Sequence, residues 1–136
     1  MTKKIQYAVE PGLNVEEFLD VLRRSGLAER RPVADHDRIA RMLKGADLII
    51  TARVEGMIVG IARSLTDFSY CCYLSDLAVA ESHKSLGIGK ALIEETRRQA
   101  GPDSMCLLLA APDAESFYDH IGMPRISNAF MHARQT

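Results

Sequence analysis

Lys84, Gly87, Gly89 and Lys90 are the residues whose types and spacing speak most directly of chemistry. They lie in Glu81–Ile93, a short polar loop with Gly-x-Gly at its far end. An apolar, strand-like run, Tyr73–Val79, leads into the loop, and a helix-period run from Ile88 to about Ala100 leads out. A glycine-bearing loop that opens a helix can aim several backbone N–H groups at one point. The first helical turn adds unpaired donors and a partial positive charge. Such a corner suits an anion, a phosphate above all, and Lys84 and Lys90 add mobile positive charge. Gly87-Ile88-Gly89-Lys90-Ala91-Leu92 supplies neither Gly-x-x-x-x-Gly-Lys-Ser/Thr nor a full Gly-x-Gly-x-x-Gly, which argues against a nucleotide-binding domain of either kind.

The other reactive side chains are less organised. Cys71 and Cys72 are adjacent and Cys106 stands alone, so there is no disulfide framework and no Cys-x-x-Cys pair. Vicinal thiols in an apolar run read as small buried hydrophobes. His36, His83, His120 and His132 show no metal-ligand spacing, and His83 and His120 read as solvent-facing. Arg23, Arg24, Arg30 and Arg31 bracket one connection. They are either a basic rim for an acidic substrate or cofactor phosphates, or a solvated helix end where arginine complements the dipole.

The elements that must position these groups follow from periodicity and turn residues. Ile5–Val9 reads as a strand stopped by Pro11-Gly12. Asn14, three before Glu17, is an N-cap for an amphipathic helix over Val15–Arg24 that Gly26 terminates. A second helix begins near Asp35 or Asp37 and ends at Gly45. Leu48–Val54, Met57–Leu65 and Tyr70–Val79 are three strands with short connections, an antiparallel meander. The Ile88–Ala100 helix then leads to a strand over Met105–Ala110, whose Leu-rich character suits cover on both faces. A strand–helix–strand unit of this kind pairs its strands in parallel with a right-handed crossover. Asp113–His120 is a short helix closed by Gly122, and a final strand is expected around Asn128–His132.

With 136 residues, 47% hydrophobic and 26% charged, the chain reads as one α/β domain over 1–136 with a core of its own. A net charge of −1 offers no general attraction to nucleic acid or to an anionic membrane. No apolar run approaches a membrane span. Met1-Thr2-Lys3-Lys4 is followed by Gln6 and Glu10 rather than an apolar signal segment, so a cytoplasmic location is expected.

Two segments, in order and separated by a strand, carry a family resemblance. Lys84-Ser85-Leu86-Gly87-Ile88-Gly89 resembles the Gln/Arg-x-x-Gly-x-Gly/Ala cofactor motif of the GNAT superfamily of acyl-CoA-dependent N-acyltransferases. Ala114-Glu115-Ser116-Phe117-Tyr118-Asp119-His120-Ile121-Gly122-Met123 resembles that family's Ala-x-x-Phe-Tyr-x-x-x-Gly-Phe ending. The resemblance covers nearly the whole chain. It implies a GNAT-like mixed, mostly antiparallel sheet with a central splayed parallel strand pair, flanked by roughly four helices. It also implies acetyl-CoA as cofactor, with CoA as product. Leu77, Ala78 and Val79 would pair with the pantetheine arm as a strand pairs with a sheet edge. Lys84, Ser85, Leu86, Gly87, Ile88, Gly89 and Lys90 would hold the pyrophosphate, and Ala114 and Phe117 would complete the cofactor wall.

The implied chemistry is direct attack of a neutral primary amine on the acetyl thioester in a ternary complex. Tyr118 matches the family's general acid for the departing thiolate, and a backbone N–H near Leu77 or Val79 would stabilise the oxyanion. Asp76 is a candidate base, because burial makes a carboxylate a better proton acceptor. Its other reading is a structural hydrogen bond to a neighbouring strand or loop. Three positions depart from the family pattern: Lys84 loses the bidentate fork of Arg, Ala111 replaces an Asn, and Met123 replaces a Phe. The acceptor is a small-molecule amine or a protein amine, and the apolar Ala129-Phe130-Met131 tail is compatible with a homodimer. The competing function is a catalytically weak acyl-CoA-binding sensor or partner module.

Overall fold

The computed structural model describes residues 3–136. A five-stranded sheet runs in the order β1 (Ile5–Val9), β2 (Leu48–Val54), β3 (Met57–Thr66), β4 (Cys71–Val79) and β5 (Met105–Leu107). The first three pairings are antiparallel and β4–β5 is parallel. Helices α1 (Val15–Ser25) and α2 (His36–Gly45) cover one face, while α3 (Ile88–Ala100) and the short α4 (Glu115–His120) lie against the other. This is the expected mixed, mostly antiparallel architecture with one parallel pair and four helices. Among the described residues no helix is long and apolar enough to cross a membrane.

Local chemistry explains the boundaries. Asn14 accepts a hydrogen bond from the Glu17 N–H at 2.8 Å and so caps α1, and Gly26 ends it at φ +85°. Asp35 caps α2 through the Arg38 N–H at 3.1 Å. The apolar stripe of α1 puts Phe18, Leu19, Val21 and Leu22 into a core shared with Ile39, Leu43, Ile49, Ile58 and Ile61. On the other face Ile88, Leu92 and Ile93 of α3 pack on Ile50, Ala52, Val59 and Leu74. The approach is closest at Gly60, where a Cβ would stand 3.1 Å from both Ile88 Cγ2 and Leu92 Cδ1.

One irregularity governs the centre of the sheet. The register passes from Arg63↔Asp76 to Ser64↔Leu74, so Ser75 is an extra residue in β4. A bulge of this kind turns the following residues to the opposite face. Leu74 therefore packs on the α3 side, whereas Ala78 belongs to the α1–α2 core.

Two expected strands come out differently. Met105–Ala110 forms a strand only as far as Leu107, and Met105 and Leu109 are exposed rather than covered on both faces. Its ladder with β4 covers Cys71–Tyr73 alone, because β5 diverges and the chain then enters a turn at Pro112, which has no N–H to give. Asn128–His132 is not a strand. Phe130 is 97% exposed, and alternation without an adjacent edge to pair with does not make a strand.

Candidate active site

The divergence of β5 from β4 opens a cleft of about 850 Å³, a size suited to a cofactor or drug-sized ligand. One wall is the C-terminal half of β4. From Leu74 to Val79 the edge of β4 that faces β5 has no strand partner among the described residues. The Ala80 N–H donates to Val59 O on β3 at 2.8 Å. The two-residue period of a strand then turns the N–H and C=O groups of Leu77 and Val79 toward the open side. Unpaired backbone groups in a sheltered slot call for a ligand that supplies donors and acceptors of its own.

The floor of the cleft is the loop that opens α3. Gly87 occupies the N-cap at φ +79° with no side-chain cap, and the first turn holds no acidic residue. Both features contrast with α1 and α2, which carry Asn14 or Asp35 as caps and acids in their first turns. The first intrahelical bond is Ala91 N–H to Gly87 O at 3.0 Å. The donors ahead of it are available at the positive end of the helix dipole. A Cβ on Gly87 would meet nothing within 4 Å, so glycine is needed there for its positive φ and not for space. Gly89 is the reverse: a Cβ would stand 2.8 Å from Phe117 Cζ. Lys84 and Lys90 lie on this wall, Lys84 paired with Glu81 at 2.8 Å.

The remaining walls come from the segment Ala111–Ile121 and from the turn after α1. Phe117 and Tyr118 stack edge to face, centroids 5.1 Å apart. Burial pushes the Tyr118 hydroxyl above its ordinary titration range, and the nearby positive charge of Arg31 partly offsets that. Tyr118 therefore carries its proton throughout the neutral range, as a proton donor must.

The fold thus brings Leu77, Ala78, Val79, Lys84, Ser85, Gly87, Ile88, Gly89, Lys90, Ala114, Phe117 and Tyr118 onto one cleft. Leu86 is not on that surface, since its side chain points to solvent at 57% exposure. Asp76 is not on it either. Its side chain is fully buried, with one carboxylate oxygen held by Arg31 Nε and the other by Arg63 Nε. Arg63 is further fixed to Met42 O at 3.1 Å and Ser75 Oγ at 3.2 Å. That geometry supports the structural reading of Asp76 over the base: both oxygens already face cations.

Several wall residues escaped sequence reasoning. His83 is half-buried rather than solvent-facing, and His120 is exposed as expected; both line the cleft. So do Gly26 and Glu29, delivered by the turn after α1, together with Arg30, one of the four arginines whose basic-rim reading pointed to this place. The cysteines sit as expected for packing groups. Cys72 is buried, and burial beside Cys72 pushes the Cys106 thiol up to about 11, which leaves little thiolate to act as a nucleophile.

No curated protein matches the sequence. Among solved structures, a GNAT-family acetyltransferase from Streptococcus pneumoniae aligns with TM-score 0.73 at 17% identity, over 98% of this chain and 100% of that one. An aminoglycoside N-acetyltransferase in complex with CoA aligns with TM-score 0.74 at 16% identity, over 100% and 98%. A ribosomal-protein-alanine N-acetyltransferase from Brucella melitensis gives 0.68 at 19%, over 96% and 100%. At these identities the likeness is one of fold. A family model described as an acetyltransferase (GNAT) domain matches residues 18–133 of the sequence itself. With that match over most of the chain, and a free strand edge running into an uncapped helix start, the protein belongs to the GNAT family of acyl-CoA-dependent acetyltransferases.

Proposed function

We propose that this chain is an N-acetyltransferase that moves an acetyl group from acetyl-CoA to a primary amine by direct attack. The observation that carries the reading is the continuity of the cleft. The open edge at Leu77 and Val79, the free N–H groups before Ala91 and the hydroxyl-bearing Tyr118 all face one space. Acetyl-CoA supplies the activated acetyl thioester. The β4 edge would hold the amide-bearing arm as an added strand, and Ser85–Lys90 with the Lys84 and Lys90 side chains would hold the pyrophosphate. A β4 backbone N–H at Leu77 or Val79 would polarise the acetyl carbonyl. Tyr118 would donate its proton toward the departing sulfur. Asp76 is assigned to holding the bulge of β4, not to accepting a proton.

Two structures that share the fold are named for an aminoglycoside and for a ribosomal-protein alanine, so the decisive panel includes both kinds of acceptor. Thiol release from acetyl-CoA is followed against small amines, aminoglycosides and peptides with free N-termini, alongside the melting temperature with and without acetyl-CoA. Release with at least one amine, together with a melting shift, is the expected result. A shift with no release would favour the binding-module reading, toward which Ala111 on the cleft wall points. No shift would sink the cofactor assignment.

Gly89→Ala gives a sharper check on the wall. The added methyl must displace the Phe117 ring, and overpacking of this sort costs about 1–3 kcal/mol. Acetyl-CoA affinity, measured by calorimetry, should weaken by about tenfold or more. Unchanged affinity would mean that the ring moves aside without narrowing the cleft.

A further inference from the structure

Arg31 stands apart from the other arginines of the α1–α2 connection. Arg24 is taken up by Asp20 and by Ile58 O at 2.6 Å, and Arg30 lies exposed on the cleft wall. Arg31 reaches across to β4 instead. Its Nε donates to Asp76, its Nη2 to Ser75 O at 2.8 Å, and its Nη1 back to Arg30 O at 2.8 Å. It therefore ties the turn that forms one wall of the cleft to the bulge in the strand that forms the opposite wall.

The charge count at this point is unusual. Asp76 is fully buried and Arg63 is 6% exposed, so those two alone would make a neutral buried pair. Arg31 adds a second guanidinium to a single carboxylate, and its side chain is 23% exposed. The cluster carries one surplus positive charge that neutralisation of Asp76 does not require. Burying such a charge without a partner is costly, and the partial exposure of Arg31 lessens that cost. The charge lies on Ser75 and Asp76, the two residues of β4 immediately before the cleft-lining Leu77.

We propose that Arg31 is a positioning residue for acetyl transfer: held by Arg30 O, Ser75 O and Asp76, it sets a surplus positive charge behind Leu77, where the departing sulfur becomes negative. This rests on the acetyl-CoA reading of the cleft. It assigns part of the thiolate stabilisation to a residue that does not itself line the cleft, acting by its field together with the proton held on Tyr118.

The test reads the bound thiol directly and needs no acceptor. CoA is bound to the wild-type chain, to Arg31→Met and to Arg31→Lys, and thiolate absorbance is followed as a function of pH. Glu29 and Arg30 on one wall, Glu81, Lys84 and Lys90 on another, and Asp113 below α4 also face this space, as do His83 and His120. All are common to the three proteins and cancel in the comparison. Bound thiol in Arg31→Met should ionise roughly half a pH unit or more higher than in wild type. Arg31→Lys, which keeps the charge and loses the fork, should stay close to wild type. CoA affinity should change by less than about threefold in both. Identical titrations in wild type and Arg31→Met would overturn the proposal. So would a shift in Arg31→Lys as large as that in Arg31→Met, because loss of the tie and not of the charge would then be responsible. Should Arg31→Met fail to fold, Arg31→Gln carries the same comparison. A chain that binds CoA but acetylates no amine would refute the transferase reading and still test Arg31. A chain that binds no CoA would sink both.

Discussion

Tyr118→Phe is expected to lower kcat by about 10²- to 10³-fold while the dissociation constant for acetyl-CoA stays within about threefold of wild type. The two effects separate because the substitution removes only the hydroxyl. The ring keeps its edge-to-face contact with Phe117 at 5.1 Å, and Phe117 in turn keeps its seat over Gly89. What disappears is the half-buried Tyr118 O–H, whose titration desolvation raises. The same desolvation acts on a thiolate leaving beside it, raising its demand for a proton and matching donor to acceptor. Steady-state kinetics with the best amine of the panel, set against calorimetry with acetyl-CoA, make the measurement. An unchanged kcat would remove Tyr118 from the chemistry and leave it as a packing residue.

Asp76→Ala should destabilise the fold by about 3–5 kcal/mol. It leaves Arg31 and Arg63 facing one another with no anion between them, and Arg63 is buried. Against a typical domain stability of about 5–15 kcal/mol, that removes between about a fifth and all of the folding free energy. Urea unfolding, read as a fall in midpoint at unchanged slope, measures it. If Asp76 were the proton acceptor, its removal would instead slow turnover in a protein about as stable as wild type. That pattern would restore it to the reaction.

Asp76 also shows where legibility in the sequence ended. Its place in an apolar strand was plain, but its partners come from 45 and 13 residues away, and one extra residue at Ser75 decides which face it takes. Periodicity cannot register a bulge, because the apparent alternation of Cys72, Leu74, Asp76 and Ala78 continues unbroken while the strand changes face. The local signals, by contrast, were sufficient for α1, α2 and α3. Asn14, Asp35, Gly26 and Gly87 act through contacts within a few residues of themselves, and the structure places them as caps. The β4–loop–α3 side of the cleft was legible for the same reason, being one continuous segment. The opposite wall was not, because Gly26–Arg30 reaches the cleft only through the packing of α1 on the sheet. The two strand misjudgements at 105–110 and 128–132 share a cause: whether an extended segment pairs depends on an edge that lies elsewhere in the chain.

The open edge of β4 has a consequence for how this protein can drift. Where a ligand is met by the N–H and C=O groups of Leu77 and Val79 and by the amides ahead of Ala91, the recognising atoms are the same for every amino acid. Most substitutions along that track rewrite the side chains and leave the contacts untouched. Only changes that reroute the main chain, at Gly87 or at the Ser75 bulge, or that displace the Phe117 ring from Gly89, reach it. A scaffold built in this way can shed its sequence almost entirely and keep its shape, as the alignment at 17% identity and TM-score 0.73 illustrates.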